Sequence, residues 1–124
     1  MISIKTFFLI AGIVLLTGCA SQPTALYNYD GYSESYYAYK KEPSKESLEK
    51  LIEVIEGDIS NTDESISKRV PPGLYAELGY LYLKSNNKEK AITFFEKEKA
   101  LYPESRKFMN ALIRKVEVSE GGTK

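Results

Sequence analysis

The residues able to do chemistry in this chain are few. Of 124 residues one is cysteine and none is histidine, so histidine catalysis and histidine metal sites are absent. The single thiol, Cys19, follows an apolar run from Phe7 to Leu16 and two small residues, Thr17 and Gly18. A run this short does not cross a bilayer, which needs about 20 apolar residues. With Lys5 ahead of it, the run reads as the h-region of a signal peptide, and residues 1–18 are excluded from the fold. Carboxylates remain as acid–base candidates, for instance in an enzyme acting on peptidoglycan. Yet Glu46, Glu49, Glu53 and Glu56 are interspersed with Lys45 and Lys50 in the manner of a solvated helix face. The expectation is a non-enzyme without metal or cofactor.

Leu16-Thr17-Gly18-Cys19 resembles the lipobox of bacterial lipoproteins. The resemblance implies transfer of diacylglyceryl to the Cys19 thiol, cleavage after Gly18 and acylation of the new amine. One acyl chain anchors marginally, whereas two or more anchor stably. Ala20 follows the cysteine, and under the enteric sorting rule the lack of Asp there favours the outer membrane, facing the periplasm. That compartment is oxidising, but a lipidated Cys19 leaves no thiol for a disulfide.

Without residues 1–18 the chain carries 16 basic and 17 acidic residues, a formal charge of −1. No basic stripe stands out, and no nucleic-acid partner is expected. The length suits one small domain. Residues 19–31 form the lipidated cysteine and a tether, 32–118 an all-α domain, and 119–124 a disordered polar tail.

The domain is organised around Pro72 to Ser105. There Tyr75, Leu78, Gly79, Tyr82, Ala91, Phe95 and Pro103 take the spacing of one tetratricopeptide repeat, with Tyr75 in place of the opening Trp. Gly79 and Ala91 carry almost no side chain and allow two helices to cross closely. The helices are expected over about 73–84 and 88–101, with Asn86 in the turn and Asn87 as cap. Pro103 ends the second. A third helix, 104–118, brings Phe108, Met109, Leu112, Ile113 and Val116 to one face and covers the open side of the repeat. Where the repeat favours a small residue stands Glu98, for which Arg106 and Arg114 are candidate partners, unless it turns to water.

Upstream lies an unusual density of tyrosine: Tyr27, Tyr29, Tyr32, Tyr36, Tyr37 and Tyr39. A helix over 32–41, with Ser33 as its cap, places Tyr32, Tyr36 and Tyr39 on one face. Leu48, Leu51, Ile52, Ile55 and Ile59 predict a second helix, capped by Ser44 and ending at Gly57. The two form a degenerate hairpin, giving about five helices in all. The polar stretch 59–70 reads as a mobile loop. The tyrosines can pack on the following helices or present a partner patch. On the first repeat helix Ala76, Tyr80, Leu83 and Lys84 fall on the groove side, since Tyr75, Leu78, Gly79 and Tyr82 face the core. With Tyr29, Tyr32 and Tyr36 they are the candidate partner-binding residues.

Taken together, Leu26-Tyr27, Tyr29-x-Gly31-Tyr32, Pro71-Pro72-Gly73-Leu74-Tyr75-Ala76-Glu77-Leu78-Gly79-Tyr80 and Phe95-x-x-Glu98-Lys99-Ala100-Leu101-Tyr102-Pro103-Glu104-Ser105 resemble a family of small bacterial lipoproteins of unknown function. Glu98 is the usual residue in that family, and an aromatic often stands where Asp30 does here. Its genes tend to lie beside a lipoprotein similar to the curli secretion channel. The resemblance implies a protein-binding scaffold or assembly partner in an envelope complex, held to the membrane by lipid on Cys19, with a channel-forming lipoprotein as the partner. The other readings are a regulator of cell-wall synthesis and a purely structural lipoprotein. Cys19→Ser should leave an unprocessed, unlabelled precursor when cells are fed a fatty-acid probe, since a hydroxyl is no substrate for the transfer. Label on the variant would show that the acyl group sits elsewhere.

Overall fold

The computed structural model describes residues 22–121; the leader, Cys19 and the last three residues lie outside them. Helix α1, Tyr32–Lys41, starts from Gly31 in left-handed backbone, φ 76°. Ser33 does not cap it, because the Asp30-Gly31 turn runs straight into the helix. Helix α2, Lys45–Ser60, opens on a capping box. Ser44 Oγ accepts from the Ser47 amide at 3.0 Å, and Ser47 Oγ accepts from the Ser44 amide at 2.9 Å, so two orphan donors are satisfied together. Its apolar stripe of Leu48, Leu51, Ile52 and Ile55 is buried. The helix runs through Gly57 rather than ending there: the next residue, Asp58, is drawn inside, and the Asn61 amide closes the last turn on the Gly57 carbonyl.

Helices α3, Leu74–Lys84, and α4, Lys88–Leu101, form the second hairpin. Asn86 takes the left-handed conformation at φ 63°, and Asn87 caps α4 by accepting from the Lys90 amide at 3.1 Å. At the crossing, a Cβ on Gly79 would lie 2.7 Å from Phe95 Cε1 and 3.0 Å from the Ala91 carbonyl oxygen. Only hydrogen fits, so the tetratricopeptide-like spacing of Gly79, Ala91 and Phe95 is realised as a close helix contact. A 3-10 turn, Pro103–Ser105, leads into helix α5, Arg106–Gly121, which lays Met109, Ile113 and Val116 into the core. Phe108, expected on that face, is exposed, because the buried stripe follows Met109 and its i+4 and i+7 neighbours. The helix also carries on past 118, where the sequence predicts a tail, and the Ser119 hydroxyl donates to the Val116 carbonyl at 2.6 Å.

The described residues contain five α-helices and no strand. Leu51, Ile55, Leu78, Phe95 and Met109 are fully buried, so α2, α3, α4 and α5 share one core. Helix α1 buries no residue completely and rests on that core through Tyr32 and Tyr39.

The segment 59–70, expected to be mobile, is tied down. Thr62–Glu64 forms a 3-10 turn. Ser65 is buried with its hydroxyl on the Thr62 carbonyl at 2.7 Å, and the Tyr102 hydroxyl donates to the Val70 carbonyl. The Ile66 and Ser67 amides donate to the Ala25 and Leu26 carbonyls at 3.0 and 3.1 Å. This backbone clip also means that Ala25 and Leu26, read from the sequence as tether, are fixed to the domain.

Two glycines on helices should respond in opposite directions. Gly79→Ala should destabilise by about 1–3 kcal/mol through overpacking. At Gly57 an added Cβ meets nothing within 4 Å, and Gly57→Ala should stabilise by about 0.5–1 kcal/mol, the usual penalty of glycine within a helix. Thermal melts of the two variants check the pair; midpoints moving together would contradict the crossing described.

Candidate functional site

Three tyrosine hydroxyls join elements far apart in sequence. Tyr32 on α1 donates to Glu77 Oε2 on α3 at 2.7 Å. Tyr82 on α3 donates to Glu56 on α2 and accepts from Lys90 Nζ at 3.0 Å. Tyr102, after α4, holds Val70. Burial, followed by the hydrogen bond to Glu77, pushes the Tyr32 phenol well above its ordinary value of 10.0, so it stays a neutral donor at any physiological pH. These rings are structural connectors.

Of the remaining tyrosines, Tyr29, Tyr36 and Tyr80 are exposed around α1 and α3. Helices α1 and α3 run in the same direction: Tyr32 meets Glu77 at one end, and Tyr39 and Lys84 line one cleft at the other. By helical periodicity Tyr36 and Tyr80 fall between these two contacts. Tyr36 stacks on Tyr32 at 5.7 Å, and Tyr29 tilts against Tyr32 at 5.5 Å. Lys40 Nζ lies 5.6 Å from the centre of the Tyr36 ring, and Lys84 Nζ lies 5.2 Å from that of Tyr80. Tyr36 is 37 % exposed and Tyr80 51 %. Of the groove residues read from the sequence, Tyr80 and Lys84 are exposed, whereas Ala76 and Leu83 are half-buried against the core. Tyr29 and Tyr36 are exposed, and Tyr32 is half-buried and bonded. Cys19 lies outside the described residues.

Two open clefts border α1 and α3. One, of about 480 Å³, is framed by Tyr29, Tyr32, Gly73 and Glu77. The other, of about 840 Å³, has Tyr39, Leu48, Ile52 and Tyr82 below and Lys45 and Lys84 at its rim. Among the described residues no group of three or more His, Cys, Asp or Glu could hold a metal ion. None of the described helices is long and apolar enough to cross a membrane.

Residues 26–112 match the family described as Domain of unknown function (DUF4810). The chain belongs to that family. No curated protein and no solved structure matches it. The matched stretch opens at Leu26 in the backbone clip and closes at Leu112 within α5. It therefore takes in both hairpins, the exposed tyrosines and the start of the covering helix.

Two carboxylates are buried, each late in the second helix of its hairpin. Glu98, 2 % exposed, accepts from the Gly73 amide at the start of α3 at 2.8 Å. Its partner is therefore a helix N-terminus, where amide and dipole both favour negative charge, and not Arg106 or Arg114. Asp58, also 2 % exposed, lies late in α2 of the first hairpin, near Asp30 and the turn ahead of α1. Each carboxylate leaves one oxygen, Glu98 Oε2 and Asp58 Oδ2, without a protein partner. Sequence reasoning misses Asp58 because it follows the apolar stripe by three residues and looks like one more surface charge. Its signal is register, since Asp58 falls on the stripe's own face.

Desolvation raises the Asp58 carboxyl above its ordinary 3.8, the Asp30 carboxylate adds to the effect and the Asp30 amide partly offsets it. The folded state thus holds this proton more tightly than the unfolded chain. The stability it contributes is complete below 3.8 and is lost as pH rises through the folded value. As pH falls from neutral toward 3.8, the wild-type melting midpoint should therefore gain on that of Asp58→Asn. Parallel profiles for the two proteins would show that folding leaves the affinity of Asp58 for its proton unchanged.

Proposed function

We propose that this protein is a non-enzymatic scaffold, lipid-anchored through Cys19 at the periplasmic face of the bacterial outer membrane, which holds another envelope protein on its exposed tyrosines. The observation that supports this reading is the pair of exposed rings, Tyr36 on α1 and Tyr80 on α3, each with a lysine beside it, Lys40 and Lys84. Tyrosine offers a large apolar area with a polar tip, and a few aromatic anchors dominate most interfaces. These rings are free to do so because Tyr32, Tyr82 and Tyr102 already supply the cross-links that the fold needs. A channel-forming lipoprotein remains the partner of choice on the family resemblance.

Tyr36→Ala with Tyr80→Ala should leave the melt near wild type, because neither ring belongs to the buried core. Capture of the envelope partner in mild detergent should fall by roughly 30-fold if the two anchors together carry about 2 kcal/mol. Unchanged capture with an unchanged melt would move the partner surface elsewhere; a collapsed melt would make the rings structural.

A further inference from the structure

We infer that the end of the domain carrying the Ala25–Leu26 clip is a lipid-contacting surface, so that the protein docks on its own membrane in one fixed orientation. The inference rests on the lipid-anchor reading of Cys19. Its first ground is the length of the leash. Six peptide steps separate Cys19 from Ala25, whose carbonyl is held by the Ile66 amide at 3.0 Å. Fully extended they reach about 20 Å, and as a flexible coil about 13–15 Å. A domain of this size has a radius of gyration of about 13 Å and so a diameter well beyond that reach. The acylated residue therefore cannot be passed round to the opposite end, and the clip end faces the bilayer.

The second ground is what that end displays. Leu26 and Ile66 are each 57 % exposed, and the clip holds their two segments together through the Ile66 and Ser67 amides on the Ala25 and Leu26 carbonyls. Their apolar side chains are thus presented from fixed backbone and not from a loose tail. Lys68 follows directly with φ 50°, a left-handed conformation that non-glycine residues other than Asn and Asp seldom take. The exposed charges of the loop, Asp63, Glu64, Lys68 and Arg69, cancel. Contact therefore depends on apolar area at the headgroup boundary, as for other interfacial anchors, and on the high local concentration set by a short leash. Docking in this way turns the Asn86-Asn87 end and its cleft away from the bilayer.

The chain contains no tryptophan, so one introduced indole reports alone. Ile66→Trp places it in the patch. Val118→Trp, at an exposed position on α5, places it about 18 Å along the axis from the start of that helix. Each mature lipidated variant, its fold checked by thermal melt, is reconstituted into vesicles of phosphatidylethanolamine and phosphatidylglycerol, with and without brominated acyl chains. The expected result is flotation of both proteins with the vesicles. The indole at 66 shifts to shorter wavelength and is quenched by the brominated lipid, while that at 118 is unaffected. Flotation with equal emission at both positions, or with quenching at 118 alone, overturns the docking surface and leaves the lipid anchor standing. Failure to float overturns the anchor itself and the inference with it.

Discussion

A carboxylate buried near the end of one helix and aimed at the first amide of its hairpin partner sets the geometry of this protein. Glu98 sits late in α4 and receives the Gly73 amide at the start of α3, which fixes the two ends of the hairpin against each other. From that fixed end the helices converge on Gly79, where the Phe95 ring and the Ala91 carbonyl leave room only for hydrogen. A neutral small residue at 98 would let the chains approach, but the start of α3 would lose its acceptor. Left-handed Gly73, at φ 87°, lets the chain enter the helix with its amide turned to the carboxylate, a conformation available to glycine at little cost. The first hairpin also buries a carboxylate late in its second helix, Asp58, near Asp30 and left-handed Gly31. What looks like a degenerate hairpin in sequence thus shares with the better one a left-handed glycine at its entry and a buried carboxylate near its end.

The two hairpins differ in how they satisfy their outer faces. The α3–α4 pair buries Leu78, Ala91 and Phe95 completely, whereas α1 buries nothing fully and is tied to α3 by the Tyr32 hydroxyl on Glu77. Tyrosine suits that task, since each ring covers apolar surface and each hydroxyl reaches a carboxylate or carbonyl on another element. Of the six tyrosines near the start of the chain, Tyr32 serves as such a connector, and Tyr29, Tyr36 and Tyr37 stay exposed.

Much of this is legible in the sequence where one residue type has one geometric use. Gly79 and Ala91 at repeat spacing, Asn86 and Asn87 in the turn, and Ser44 at a helix start each encode a local fact. The five helices follow from the 3.6-residue stripe, with ends that agree for α3 and α4. What the sequence hides depends on distant partners. Nothing local tells that Gly57 lies inside a helix, because the reason is the burial of Asp58 near the turn that precedes α1. Nothing local tells that Ile66 and Ser67 are held, because their acceptors are Ala25 and Leu26. Glu98 stands out as a misfit, but choosing between an arginine and a backbone amide requires the fold. Among the tyrosines, composition shows the cluster and only geometry separates connectors from exposed rings.

The backbone clip also decides how the molecule bears load. Any pull delivered through the N-terminus arrives first at Ala25 and Leu26, which are held by two amide bonds and not by the helical core. Those bonds stand at the edge of the domain and break in succession, while the hairpins below them are still unstressed. The segment they release lengthens the suspension before any tension reaches α1. The clip is in this sense a weak link placed upstream of everything the fold must keep, so that tension entering from that side is spent on slack before it reaches the hairpins.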